Sequence, residues 1–270
     1  MPVLLGLNGA TLPTAGAEEA IRAAREAGFR AFEPRVPLLA AAEAGGRTSA
    51  VWESLAPDLV WLPLNAVEGL FAIPREEISS RAANTCSLAV RFRVPQAIFV
   101  PGSGPACLAF AAAVAELDAL RDVARRHGVA PLYELIGFPT FAFPSLDQAY
   151  HLAQATGIPL VLDTFHLAIS RTQPEEIARL PAAAIGLVHL SDAITSGKAL
   201  EELRDEDRVL PGEGGLPVEA LLVGIRRTGY RGPVSVEVFH PRYGDREPPA
   251  VAKDAFHAAR TALASAGWAI

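Results

Sequence analysis

The sequence has few cysteines, no excess of basic residues and no long apolar run. Its two cysteines, Cys86 and Cys107, lack the spacing of metal ligands, and free thiols suited to a reducing cytosol are favoured over a disulfide. The formal net charge of −6 disfavours a nucleic-acid partner, which usually selects a basic surface. No apolar run approaches the ~20 residues of a membrane span, and no basic residue precedes Arg22, so a signal peptide is not expected. We therefore expect a cytoplasmic protein that has no nucleic-acid partner and makes no membrane contact.

The sequence does contain a regular alternation of apolar, β-branched runs and helical segments. The predicted strands are Val3–Asn8, Ala31–Glu33, Leu59–Leu64, Ala97–Val100, Leu132–Ile136, Leu160–Asp163, Ile185–Leu190 and Val234–Phe239. The predicted helices are Thr14–Ala27, Arg75–Arg93, Cys107–His127, Ser145–Thr156, Pro174–Leu180, Pro217–Thr228 and Pro249–Ala266, with no element assigned within Pro37–Pro57. Its 270 residues are close to the roughly 250 of a typical (β/α)8 barrel. We predict an α/β fold, a single-domain (β/α)8 TIM barrel over residues 1–270.

Four of the predicted strands, the last four in the chain, end in residues that can bind a metal. Glu134 lies in PLYELIG, Asp163 in IPLVLDTFH, His189 in AIGLVHLSD and Glu237 in GPVSVEVFHP. The carboxyl ends of the strands of such a barrel converge on one face, where the chemistry of these folds is located. Two Glu, one Asp and one His form a set of oxygen and nitrogen ligands that suits Mn²⁺, Zn²⁺, Co²⁺ or Mg²⁺. The pattern therefore predicts a site for one divalent ion.

Each of these residues also has a structural interpretation. Glu134 could pair with an arginine, Asp163 could cap a helix, and His189 could be a hydrogen-bonded core residue. Glu237 interrupts an apolar alternation, where a buried carboxylate without a partner is costly. A joint metal site is favoured because four separate structural roles at one barrel mouth would be a coincidence.

The order Glu, Asp-x-x-His, His, Glu resembles the xylose isomerase-like TIM barrel superfamily. This superfamily includes sugar isomerases and epimerases, inosose dehydratases and isomerases, hydroxypyruvate isomerases and endonuclease IV. The resemblance covers most of the chain and is densest in YELIG, LDTFH, VHLSD, DEDRVLPGEG and VSVEVFHPRY. The last three segments are most similar to inosose (2-keto-myo-inositol) isomerases. One departure is His240, since inosose isomerases tend to have Arg at this position before the proline.

The resemblance implies a divalent-metal-dependent isomerase or epimerase that acts on a keto-sugar or keto-cyclitol, with inosose as the best single candidate. It implies proton transfer through a metal-stabilised ene-diolate, with Glu134 and Glu237 as the acid–base pair. It also implies that His166 and Arg208 bind the substrate. An inosose dehydratase and a hydroxypyruvate isomerase-like enzyme are the alternatives within the superfamily.

Three further features carry weaker expectations. Glu33 and Arg35 end the second strand, where they could line the substrate pocket opposite the metal or form a local ion pair. Asp192, three residues after His189, is expected to orient a metal ligand. The stretch Gly212–Gly215 is more typical of a turn than of a phosphate-binding loop.

Two other classes of protein compete with a sugar isomerase. An endonuclease IV-like phosphodiesterase would need extra histidines from the earlier strands, whose ends LPLN and FVPG provide none. A non-catalytic sugar-binding barrel is disfavoured by the intact ligand set. A homo-oligomer is compatible with the sequence, which gives no direct signal for one.

Overall fold

The computed structural model describes residues 2–104 and 108–270. Cys107 lies outside the described residues. The strands are β1 (Leu5–Asn8), β2 (Ala31–Glu33), β3 (Val60–Trp61), β4 (Leu64–Leu70), β5 (Gln96–Pro101), β6 (Ala130–Glu134), β7 (Leu160–Asp163), β8 (Ile185–Leu190), β9 (Asp192–Ala193), β10 (Arg208–Val209) and β11 (Val234–Val236). The α-helices are α1 (Ala17–Ala27), α2 (Val36–Ala44), α3 (Ser49–Leu55), α4 (Arg75–Arg91), α5 (Phe110–Arg126), α6 (Leu146–Thr156), α7 (Thr164–Ile169), α8 (Pro174–Ile177), α9 (Val218–Arg227) and α10 (Pro248–Ser265).

Nine parallel strands form one sheet in the order β3-β2-β1-β11-β8-β7-β6-β5-β4. The two end strands, β3 and β4, follow each other directly in the chain, and a parallel bridge between Arg35 and Asn65 links β4 back to the end of β2. The sheet is therefore closed, with β3 and β4 sharing one position of an eight-stranded barrel. The short strands β9 and β10 pair antiparallel in the connection after β8. The predicted (β/α)8 barrel is confirmed.

The predicted bounds of the third strand were wrong. Instead of one strand over Leu59–Leu64, the structure has the two-residue β3 and then β4, which continues to Leu70. The apolar pattern did not predict β4, because Asn65 and Glu68 interrupt the run of apolar residues that is typical of a buried strand. Helices α2 and α3 occupy the stretch that had no assigned element, and α3 buries Trp52 against the core.

Several predicted helix ends are present in the structure. Ser145 caps α6 with a capping box that includes Gln148. Gly28 and Gly157 end α1 and α6 in the left-handed conformation, with φ of 106° and 68°. The helix predicted from Cys107 begins at Phe110 among the described residues.

A layer of small and apolar side chains fills the barrel below the mouth. It is a buried cluster of Ala31, Leu62, Ile98, Leu132, Val161 and Leu187. Successive side chains of a strand point to opposite faces, so residues two apart share a face. Glu33, Glu134, Asp163 and His189 each lie two residues beyond a member of this cluster. The strand period therefore places these polar side chains inside the barrel, one layer nearer the mouth.

No helix among residues 2–104 and 108–270 combines the length and the apolar character needed to cross a lipid bilayer.

Candidate metal centre

The four predicted metal ligands come together inside the barrel mouth. Glu134, Asp163, His189 and Glu237 each offer one ligand atom, and these atoms all lie within 4.8 Å of one another. The residues are 5%, 0%, 0% and 3% exposed, respectively. Three carboxylates buried this close together repel one another unless a cation lies among them. The ligand chemistry, three carboxylates and an imidazole, suits a divalent ion.

The two ring nitrogens of His189 have different surroundings. Nδ1 lies 3.2 Å from Oε1 of Glu134, 3.3 Å from Oε2 of Glu237 and 3.9 Å from Oδ2 of Asp163. Nε2 points the opposite way and lies 2.9 Å from Oε1 of Glu33. Nδ1 is therefore the nitrogen that faces the carboxylates of the candidate metal site.

Glu237 is held by amide groups from the first half of the barrel. Its Oε1 accepts hydrogen bonds of 2.9 Å from Nδ2 of Asn8 and from Nδ2 of Asn65. Its Oε2 is left facing Nδ1 of His189 and the guanidinium of Arg208. Burial raises the pKa of Glu237 to about 7, against the opposing charges of His189 and Arg208.

Asp163 joins the metal site to helix α7. Its Oδ1 accepts a 2.7 Å hydrogen bond from the backbone N–H of Phe165, which caps the helix. Its Oδ2 faces Arg208 and His189. Burial would raise the pKa of this carboxyl, but the positive charge of Arg208 is the leading influence that lowers it overall. Capping the helix and binding a metal would therefore use different oxygens of this carboxylate.

Arg208 is 2% exposed and lies beside two of the candidate ligands. Its Nη2 contacts Oδ2 of Asp163 and lies 3.1 Å from Oε2 of Glu237. The guanidinium also packs over the rings of Phe165 and Phe239, at 4.9 and 5.0 Å from their centres. The contact predicted between Arg208 and substrate stays a prediction, but the structure brings this residue to the metal site.

His166 is buried beside the candidate metal site. It lies in α7 and is 4% exposed. Its ring packs edge-on against Phe138 and Phe165, and its Nδ1 has no hydrogen-bond partner among the described residues. Burial lowers the pKa of His166, which favours the neutral imidazole at neutral pH. The predicted contact between His166 and substrate stays a prediction.

Asp192 does not contact a metal ligand, which corrects the expectation for this residue. Its carboxylate accepts hydrogen bonds from the backbone N–H groups of Ala193, Gly212, Gly214 and Leu216, at 2.8, 3.2, 3.1 and 2.9 Å. These bonds fold the connection that follows Arg208. A side chain at Gly214 would place its Cβ 2.4 Å from Oδ1 of Asp192. The glycine-rich stretch is therefore a turn organised by a carboxylate.

The structure adds two residues that the sequence did not reveal. Asn8 and Asn65 reach Glu237 from β1 and β4, and their only sequence signal was a polar residue at the end of a predicted strand. Arg35 lies 3.9 Å from Glu237 and over the ring of Phe239, at the inner wall of a cavity of about 840 Å³ between α1 and α2. The guanidinium of Arg35 makes no hydrogen bond to any described residue.

The chain is similar in sequence to inosose isomerases and to 3-dehydroshikimate dehydratases. It is 35% identical over 130 residues to an inosose isomerase of Halalkalibacterium halodurans, covering 47% of this chain and 45% of that protein. It is 34% identical over 130 residues to a 3-dehydroshikimate dehydratase of Pseudomonas aeruginosa, covering 46% of this chain and 20% of that protein. The matches thus span about half the length of the inosose isomerase. The fold superposes on a crystal structure of IolI protein with a bound zinc atom, with a TM-score of 0.85, 22% identity and 98% coverage of both chains.

A family model described as xylose isomerase-like TIM barrel matches residues 21–262, nearly the whole chain and all four candidate ligands. The chain therefore belongs to the xylose isomerase-like TIM barrel family.

Proposed function

We propose that the protein is a divalent-metal-dependent isomerase or epimerase of a keto-cyclitol or keto-sugar, with inosose as the best single substrate candidate. The observation that carries this proposal is the buried set of Glu134, Asp163, His189 and Glu237 inside the barrel mouth. The likeness to inosose isomerases supports the substrate class. A divalent ion held by these four residues would supply Lewis-acid polarisation of a substrate carbonyl.

Glu134 and Glu237 carry out the proton transfer. Glu134 ends β6 and Glu237 directly follows β11, and β7 and β8 separate these two strands in the sheet, so the two glutamates approach the site from different sides. One carboxylate removes the proton next to the carbonyl, and the other returns it at the neighbouring carbon or on the opposite face. His166 and Arg208 hold substrate oxygens, and the rings of Phe165 and Phe239 keep the guanidinium in place.

A dehydratase of a ring ketone is the second candidate, and Arg35 favours it. Arg35 faces the cavity, is close to Glu237 and keeps its hydrogen-bonding capacity free among residues 2–104 and 108–270. A guanidinium with free hydrogen-bond donors can bind a substrate carboxylate. The likeness to 3-dehydroshikimate dehydratases is in line with such a substrate.

A substrate panel tests the proposal. The protein loaded with Mn²⁺, Co²⁺, Zn²⁺ or Mg²⁺ is assayed by NMR with inososes, tagatose, fructose, psicose and hydroxypyruvate, and with phosphorylated sugars. We expect interconversion of an unphosphorylated ring or chain ketone. Activity confined to phosphorylated substrates would refute this choice and would assign a phosphate to the turn at Gly212–Gly215. In parallel, turnover of 3-dehydroshikimate tests for dehydratase activity. The Arg35→Gln variant should turn over 3-dehydroshikimate more slowly than the wild type and should retain turnover of neutral ketones.

A further inference from the structure

Glu33 is fully buried, and its carboxylate contacts the side chains of His189 and Asn65. Both of its oxygens lie near Nε2 of His189, at 2.9 Å for Oε1 and 3.1 Å for Oε2. The two residues are 156 positions apart in the chain, and neither has any exposed side-chain surface. A carboxylate buried without a partner is costly, so this contact is the main local reason that Glu33 is tolerated there.

We propose that Glu33 is a positioning residue for the metal site, which fixes His189 in the tautomer and orientation that bind the ion. This proposal rests on the proposed metal-dependent function. A neutral imidazole that donates Nε2–H to a carboxylate carries no proton on Nδ1, so the lone pair of Nδ1 can bind a metal. The direction of Nδ1, toward Glu134, Asp163 and Glu237, is the direction that such an ion requires.

Asn65 ties this positioning contact to a metal ligand. Its Nδ2 donates to Oε1 of Glu33 at 3.1 Å and to Oε1 of Glu237 at 2.9 Å. An amide nitrogen carries two hydrogens, so both bonds can form at once. The Asn65 amide therefore fixes the carboxylates of Glu33 and Glu237 relative to each other while it separates their charges. Asn65 thus links residues from the second, third and eighth strand positions of the barrel next to the candidate metal site.

This role differs from the substrate contact that the sequence suggested for Glu33. A residue that binds substrate changes the Michaelis constant and leaves metal affinity intact. A residue that orients His189 changes metal affinity in the absence of any substrate. A partner that orients a ligand is typically worth about 10–100-fold in metal affinity or activity.

The experiment compares Glu33→Gln with a matched control. Glutamine keeps the size of the side chain and removes its charge, so it weakens the Nε2–H contact with little loss of packing. Glu68→Gln removes a carboxylate from the strand that carries Asn65, where the side chain is 67% exposed and does not contact His189. Binding of Zn²⁺ and Co²⁺ is measured by competition with a chelating dye, and thermal unfolding of the metal-free proteins checks that both variants fold.

We expect the dissociation constant of the ion to rise by about 10–100-fold in Glu33→Gln and to change by less than about twofold in Glu68→Gln. The Co²⁺-loaded wild-type protein should also show one strongly shifted, exchangeable proton signal from Nε2–H of His189. That signal should be lost or exchange faster in Glu33→Gln and should be unchanged in Glu68→Gln. Asn65→Ala should give a smaller effect in the same direction.

Two results would overturn the proposal. Equal metal affinity in the wild type and Glu33→Gln would show that Glu33 does not position the metal site. The proposed function would still stand in that case. Failure of the folded wild-type protein to bind either ion would remove the metal site itself and this inference with it. If Glu33→Gln unfolds, Glu33→Asp serves instead. It keeps the charge but shortens the side chain, and an ion affinity equal to that of the wild type would then contradict the positioning role.

Discussion

Nη2 of Arg208 lies 3.1 Å from Oε2 of Glu237, the oxygen that faces the candidate metal site. The same nitrogen contacts Asp163, a second candidate ligand. One guanidinium therefore neutralises two of the carboxylates that a divalent ion would bind. Removing one member of a buried ion pair is strongly destabilising, because the remaining charges lose their partner.

Arg208→Ala should destabilise the metal-free protein by about 3–5 kcal/mol. A bound divalent ion supplies the missing positive charge, so the loss should be smaller in the metal-loaded protein. The same variant should raise the Michaelis constant or lower turnover while metal stays bound. Chemical unfolding with and without Zn²⁺, together with metal analysis, measures these effects. Equal destabilisation in both forms would show that Arg208 and the ion do not share these carboxylates.

Asp163→Asn should abolish stoichiometric metal binding without unfolding α7. The amide oxygen of asparagine can still accept the hydrogen bond from Phe165 that caps the helix. The charge and the second carboxylate oxygen, which face the other ligands, are lost. Elemental analysis after dialysis and circular dichroism measure the two outcomes. Full retention of metal would exclude Asp163 as a ligand.

Glu134→Gln and Glu237→Gln should each remove exchange of the substrate α-proton with deuterated water. General acid–base groups typically contribute about 10²–10⁴ in rate. Metal content is measured in the same samples, because both residues are also candidate ligands. A loss of less than about tenfold at both positions, with metal bound, would move the search for the base to His166.

Gly214→Ala should impair catalysis through the connection that carries Arg208. A Cβ at this position would lie 2.2 Å from the carbonyl oxygen of Ala193 and 2.4 Å from Oδ1 of Asp192, so the backbone must shift. We expect kcat/KM to fall while the metal stays bound. Gly16→Ala is the control, since its Cβ would meet nothing within 4 Å. Wild-type kinetics in Gly214→Ala would show that the Asp192 contacts do not control the site.

The stability of the metal-free protein should fall as the pH rises through neutrality. Burial raises the pKa of Glu237 from 4.5 to about 7. Burial alone would lower the pKa of His189, but the carboxylates of Glu237 and Glu33 raise it well above its ordinary 6.5. The folded protein therefore holds protons that the unfolded chain releases, and it loses stability as these groups deprotonate. A bound ion replaces the protons.

The difference in Tm between the metal-loaded and metal-free proteins should accordingly widen between about pH 6 and about pH 8.5. Calorimetry at matched ionic strength measures it. In Glu237→Gln, which cannot ionise at this position, the widening should be smaller. A constant difference across this range would contradict the proposed competition between protons and metal.

The sequence could place the four candidate ligands at one site because their signal is local. A buried parallel strand is a short apolar run, and a carboxylate or imidazole at its end is conspicuous. The fold then determines that such ends meet. Glu134, Asp163, His189 and Glu237 could thus be brought together without knowledge of any contact.

The supporting contacts could not be predicted in this way. The bonds from Asn8 and Asn65 to Glu237 span 229 and 172 positions, and nothing in the sequence around a strand-end asparagine names its partner. Asp192 was predicted to orient a metal ligand because it lies three residues after His189 in the sequence. Its carboxylate instead satisfies backbone amides of a turn about twenty residues later, the form of contact that acidic residues commonly make at turns.

The most direct test of the account is deuterium incorporation next to the carbonyl of inosose. The wild-type protein, loaded with metal or stripped by a chelator, is incubated with inosose in deuterated water, and exchange is followed by proton NMR. The account predicts exchange in the metal-loaded protein, none above background in the stripped protein, and recovery when the ion is restored. Exchange at the same rate without metal, or none with metal bound, would contradict it.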